Sequence, residues 1–167
     1  MFNKELIYKI LFYSFIALCL MVAIISVNGA AINIDHSIPK GLYWEVNNSP
    51  KKDDYVLCEI KNISRIGTQR NYSKNLGTIG KRIIGVPGDT VKISSNGVTI
   101  DGKFIDNSKP LLHDSEGREM PVMDSTFVLK NNHYFLFGNH PESFDSRYFG
   151  AVNKEKIVSA IIPIITF

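Results

Sequence analysis

Cysteine is scarce in this chain: 167 residues hold two, Cys19 and Cys58, which give neither a disulfide framework nor the CxxC spacing of a zinc site. A large excess of either charge is also lacking. The 19 Lys plus Arg against 16 Asp plus Glu leave +3, too little for a protein held to nucleic acid by its charge. Beyond residue 31 the count is 17 basic to 15 acidic over 136 residues, the balance of an ordinary globular surface. The four histidines, His36, His113, His133 and His140, show no metal-ligand spacing, and no internal repeat appears. The reading therefore contains no cofactor, no metal and no nucleic-acid partner. At 44% apolar the chain is not disordered, and it is long enough for one folded domain.

What the sequence does have is one long apolar block. Ile10 to Val27 runs eighteen residues without a charge, a proline or a glycine. At about 1.5 Å per residue, twenty-odd such residues suit a helix that crosses about 30 Å of hydrocarbon. Lys4 and Lys9 precede the block and no basic residue follows it until Lys40, so the positive-inside bias puts the N-terminus in the cytoplasm. The expected layout is a cytoplasmic tail at 1–9, a transmembrane anchor at 10–31 and an extracytoplasmic domain at 32–167. The competing reading is a cleavable signal peptide ending at Gly29-Ala30-Ala31, but its apolar core is longer than the usual range of about 7 to 15 residues.

After the block, short stretches with a period of two alternate with Gly, Asn, Asp and Pro, which predicts a β-rich domain. Asp54 to Ile60 puts Val56, Cys58 and Ile60 on one strand face, making Cys58 a small core residue. Thr90–Ile93, Val98–Ile100 and Lys103–Ile105, separated at Asn96-Gly97 and Asp101-Gly102, spell two consecutive hairpins. Residues 61–77 and 106–125 are polar and read as surface loops. Lys156 to Ile162, broken soon after by Pro163, reads as a closing core strand.

Three motifs remain, each with an unremarkable reading when taken alone. Ser37-Ile38-Pro39-Lys40-Gly41-Leu42-Tyr43-Trp44 can be a turn into a strand. In Gly80-Lys81-Arg82-Ile83-Ile84-Gly85-Val86-Pro87-Gly88-Asp89, Lys81 can be a snorkelling lysine at a strand edge. In Gly138 to Gly150, Asp145 and Arg147 lie two apart on what reads as extended chain and can form a modest salt bridge. His36 adjoins Ser37, but adjacent residues of an extended strand face opposite ways, so it reads as a surface histidine. The sequons Asn62-Ile63-Ser64 and Asn71-Tyr72-Ser73 arise readily by chance in an Asn-rich chain.

In this order, just beyond one apolar span, the three boxes resemble the type I signal peptidase family over residues 7–167. Asn33-x-x-x-Ser37-x-Pro39-x-Gly41-Leu42-Tyr43 and Gly117-Arg118-Glu119-Met120-Pro121 are more similar to its conjugative-transfer branch, the TraF-type peptidases. The resemblance implies a mostly β fold: an antiparallel signal-peptidase-like domain, a partly open barrel, behind one N-terminal transmembrane helix. It implies Ser37 as nucleophile and Lys81 as general base. Ser143 would orient the lysine, Asp145 with Arg147 would brace the strand presenting Ser143, and Arg82 would point away.

By the same resemblance the substrate is an exported precursor cut at a small-x-small site, such as a pilin precursor. The implied surroundings are the bacterial inner membrane and other components of a conjugative type IV secretion system. The alternatives are a general leader peptidase and a catalytically inactive subunit of the secretion machinery. Two departures matter. The oxyanion region, the main chain of Ser37 plus the residue two before it, commonly has Ser or Thr at that second position, and here it holds Asp35. An ionised carboxylate cannot donate a hydrogen bond there, and one lost donor typically costs about 100-fold or more. Gly138-Asn139-His140 also replaces the Gly-Asp-Asn common among leader peptidases.

Overall fold

The computed structural model describes residues 4–27, 29–73 and 76–167. Residues 1–3 of the expected tail, 28 of the expected anchor and 74–75 of the expected loop lie outside the described residues, as do the side chains at 21 and 24–27.

The chain opens with helix α1, Lys4–Val27. The helix stops short of Gly29, whose φ of +93° suits glycine, and Ala30–Asn33 already form strand β1. Residues 30 and 31 therefore pair in a sheet rather than extend an anchor. Lys4, Glu5 and Lys9 occupy the first turns of α1 and shorten its apolar length. Among the described residues no helix is long and apolar enough to cross a membrane, so the spanning helix expected over 10–31 is not supported.

The body is mostly β. After β1 come β2 (Gly41–Val46), β3 (Tyr55–Glu59), β4 (Thr78–Gly85), β5 (Thr90–Ser94), β6 (Gly97–Ile100) and β7 (Lys103–Phe104). They are followed by β8 (Ser125–Val128), β9 (His133–Phe137), β10 (Val152–Asn153) and β11 (Ile157–Thr166). A seven-stranded sheet has the order β1-β2-β11-β3-β4-β9-β10, and a four-stranded sheet has the order β7-β6-β5-β8. The pairings are antiparallel, and among the described residues the architecture is two open sheets with no closed barrel.

The hairpin meander falls at 90–104. Asp101 and Gly102 both take positive φ between Ile100 and Lys103, as a tight two-residue turn requires. The preceding turn is displaced by one residue: Ser94 pairs with Gly97, so Ser95-Asn96 make the bend and Gly97 opens β6. Pro163 does not end the last strand. It faces Tyr43 in register, and the ladder shifts between Pro163 and Ile165, the kind of irregularity at which a strand tolerates proline. Residues 61–77 are not simply loop. Ile60–Ile63 form α2 and Arg65–Gln69 form α3, capped by the Ser64 side chain, which accepts from the Gly67 N–H.

The core divides where the sheets divide. Val56, Cys58, Ile60, Ile79, Ile83, Leu136 and Phe144 pack in the larger sheet's cluster, while Val91, Ile93, Val98, Phe135 and Phe137 pack in the smaller one's. Burial pushes the Cys58 thiol up to about 12, which fits an inert core residue.

Candidate active site

Ser37 sits in a bend four residues past β1, and that bend is held by side chains far more than by a ladder. Asn33 Nδ2 donates to the carbonyls of Asp35, Ile38 and Pro39 at 2.8, 3.1 and 3.1 Å. The Tyr43 hydroxyl donates to the Pro39 carbonyl at 2.6 Å, and the Asn139 N–H to the Ser37 carbonyl at 2.9 Å. Asn33 and Tyr43 belong to the motif around Ser37, but nothing local in the motif explains either residue. Their spacing from Ser37 acquires meaning only once the chain doubles back.

Lys81 lies on β4, opposite Val56 of β3, with Cys58 facing Ile79 two pairs further along. This register turns the lysine inward: Lys81 is 2% exposed, Ser37 4% and Ser143 5%. Its Nζ donates to Ser37 Oγ at 2.7 Å and to Ser143 Oγ at 2.9 Å, while the two hydroxyls lie 3.1 Å apart. Three residues separated by up to 106 positions thus converge on one ammonium group. Burial lowers the Lys81 pKa from its ordinary 10.5 to about 8, opposed by the charges of Asp145 and Asp35 and assisted by Arg147. Arg82 next along β4 sits apart from this cluster, 3.8 Å from Asp53 and about a third exposed.

Asp145 and Arg147 pair, but not along an extended strand. Asp145 caps the short helix α4, Ser146–Phe149, by accepting from the Arg147 N–H. Both side chains are fully buried, with Arg147 Nε and Nη2 at 2.8 Å from the two carboxylate oxygens. The guanidinium also donates to the Ser143 carbonyl at 2.9 Å and lies over the Phe137 ring. Asp145 Oδ2 accepts from the Gly138 N–H at 3.0 Å. The pair thereby fixes both segments that meet at Ser143. At Gly138 a Cβ would stand 2.0 Å from Ser143 Oγ and 3.1 Å from Ser37 Cβ, so only glycine leaves room for both hydroxyls.

Asp35 does not turn away from the site. Its Oδ1 accepts from the His36 N–H at 2.7 Å and its Oδ2 from Ser37 Oγ at 3.0 Å. His36 is exposed, its ring 5.6 Å from that of His140. Among the described residues no group of three His, Cys, Asp or Glu side chains is placed to hold a metal.

Beside Ser37 and Lys81 opens a cleft of about 400 Å³, floored by Ile60, Ile79, Phe144 and Tyr148. One wall comes from residues 111–120, which the sequence assigned to a surface loop. Asp114 ties this segment down, accepting from Tyr72 OH at 2.5 Å and Arg118 Nε at 2.7 Å. Partial burial pushes the Asp114 pKa up, but the hydrogen bonds from Tyr72 and Arg118 outweigh it and hold the carboxyl well below the usual range. A second hollow of about 200 Å³ lies between the Ala31–Ile34 segment and Thr78–Gly80, and Asp35 borders both spaces.

An uncharged amine buried against a serine hydroxyl can take that hydroxyl's proton, the chemistry of a Ser-Lys acyl-transfer site. The chain belongs to the signal peptidase family, peptidase S26, whose sequence pattern matches residues 3–165. That membership makes it a signal-peptidase-type serine peptidase. It is similar to the plasmid transfer protein TraF of Escherichia coli, at 32% identity over 149 residues, covering 83% of this chain and 84% of that protein. The conjugal transfer protein TraF of Agrobacterium tumefaciens is 34% identical over 87 residues, 52% of this chain and 48% of the relative. A crystal structure of a signal peptidase I from Enterococcus faecalis is 23% identical, with a TM-score of 0.42 and coverage of 69% of this chain and 98% of that one.

Proposed function

We propose that the protein is an endopeptidase in which Ser37 attacks the scissile carbonyl and Lys81 serves as general base and then as general acid to the leaving amine. The observation that carries this reading is the 2.7 Å contact between Nζ and Oγ around a lysine that burial brings to about 8. Ser143 holds the amine in line with the hydroxyl, and Asp145 with Arg147 keeps Ser143 in place. The Ser37 main-chain N–H serves the oxyanion.

The substrate enters as an added strand. Among the described residues no strand pairs with β1 on its far side, and Thr78–Gly80 pair with β3 while pairing with β9 begins only at Arg82, which leaves edges on both sides of the smaller hollow. That hollow, lined by Ala31, Ile34 and Ile79, suits small apolar side chains before the cut. The named transfer-protein relatives support placing the substrates among exported precursors of conjugative transfer, pilins included. Exposed Leu11, Phe12, Phe15 and Leu18 on α1 support holding the protein at the cytoplasmic membrane, with the peptidase domain on its outer face. The test is to incubate the protein with the small exported precursors encoded near it and weigh the products. Wild type releases one new N-terminus, and Ser37→Ala and Lys81→Ala release none; cleavage by either variant overturns the dyad.

A further inference from the structure

Three polar atoms surround the Ser37 hydroxyl: Lys81 Nζ at 2.7 Å, Asp35 Oδ2 at 3.0 Å and Ser143 Oγ at 3.1 Å. A hydroxyl has one proton and two lone pairs, so these contacts use all of its hydrogen-bonding capacity. A charged lysine can only donate and a carboxylate can only accept, which directs the Ser37 proton to Asp35 rather than to its base. Attack on a carbonyl requires the opposite arrangement. The proton must point to an uncharged Lys81, a lone pair must be released, and the reacting carbon must come within about 3 to 3.5 Å. One neighbour has to leave. Lys81 and Ser143 are almost fully buried, whereas Asp35 is only half-buried, lies past the end of β1 and borders both the cleft and the smaller hollow.

We propose that Asp35 is a displaceable latch on the nucleophile, holding the Ser37 hydroxyl in an unreactive direction until a substrate strand entering the groove pushes the carboxylate aside. This rests on the Ser37/Lys81 reading above. The charge of Asp35 acts in the same sense as its hydrogen bond. Asp35 and Asp145 both favour the charged form of Lys81; Asp145 is pinned by a buried arginine whereas Asp35 stands half-buried at the mouth of the cleft, and moving Asp35 also loosens the proton on the lysine. Arg147, Cys58 on β3, the His36–His140 pair and Glu142 in the same cleft are further titratable neighbours, and substitution at Asp35 leaves them in place.

A latch that the substrate itself opens distinguishes large substrates from small ones. The experiment compares p-nitrophenyl acetate, too small to displace Asp35, with an extended precursor peptide, using wild type, Asp35→Ala, Asp35→Asn and Ser37→Ala. With the ester, Ser37 Oγ bonds to the acetyl carbon, p-nitrophenolate leaves, the hydroxyl proton passes to Lys81, and acetylated Ser37 is read by mass. Asp35→Ala acetylates at least about tenfold faster than wild type, the scale of one hydrogen bond to a charged group. Its peptide kcat changes by less than about threefold, because the bound peptide already holds the latch open, and the opening cost it is spared appears as a lower KM. Asp35→Asn keeps an acceptor and falls between on the ester, and both variants move the alkaline rise of kcat/KM to lower pH.

Equal changes in ester acetylation rate and peptide kcat, or an ester rate no faster than wild type, overturn the latch. Should Asp35→Ala fail to fold, the near-isosteric Asp35→Asn decides through its pH profile, and an unmoved rise refutes the proposal. Peptide cleavage by Ser37→Ala overturns the dyad itself, a separate outcome from failure of the latch.

Discussion

Replacing Lys81 by Met removes a charge that the folded protein buries at a cost, and the coordinates set the size of the effect. Burial takes the amine from 10.5 to about 8, and at about 1.36 kcal/mol per pH unit that interval corresponds to about 3 kcal/mol. The folded-state value lies below the unfolded one. Between about pH 8 and 10.5 the unfolded chain therefore still binds a proton that the folded protein has lost, and wild-type stability rises with pH through that window. Below pH 8 both states carry the charge and wild type bears the whole cost. Lys81→Met has no such term, and the two hydroxyls it uncovers, 3.1 Å apart, can bond to each other. Urea unfolding of wild type and Lys81→Met, measured side by side from pH 7 to 10.5, should show the variant's advantage shrinking by about 3 kcal/mol over the upper part of that range. Wild-type kcat/KM should rise through pH 8 over the same scan. A stability difference that stays constant from pH 7 to 10.5 refutes the depressed lysine and, with it, the account of how the base is prepared.

Gly138→Ala, which places a methyl 2.0 Å from Ser143 Oγ, should displace that hydroxyl and lower kcat/KM at least about tenfold in a protein that still folds; an unchanged rate would show that Ser143 does not hold the base. Arg147→Met leaves the Asp145 carboxylate buried without its partner and should destabilise by about 3 to 5 kcal/mol in denaturant titration, with much of the loss recovered in Arg147→Met/Asp145→Asn. Asn33→Ala frees three carbonyls of the Ser37 bend and should cost about 1 to 3 kcal/mol of stability, with a fall in kcat larger than any change in KM; a variant as stable and as fast as wild type would mean that the bend holds itself.

The serines and the lysine of the candidate site are legible in the sequence because they stand in ordered boxes: a serine before a proline, a lysine before paired isoleucines, a second serine before an Asp-x-Arg. Alternation and turn pairs likewise carried the meander at 90–104, since Asp101-Gly102 needs only local backbone sterics. What stayed hidden depends on distant partners. Residues 111–120 read as loop because the bonds that make them a cleft wall come from Tyr72 and Arg70, more than forty positions away. Asp145 and Arg147 were paired for the wrong geometric reason, because a one-turn helix beginning at Ser146 leaves almost no periodic trace. The end of α1 at Val27, short of Gly29, is not legible for a related reason. Hydropathy follows composition, whereas the positive φ there is a backbone event.

The position of β11 bears on how the two halves of the candidate site are spaced. It lies between β2, which follows the Ser37 bend, and β3, which adjoins the strand carrying Lys81. It is thus the wedge that sets these two parts of the larger sheet at their separation. Loosening its ladder to either neighbour would part the hydroxyl from the amine without altering either residue.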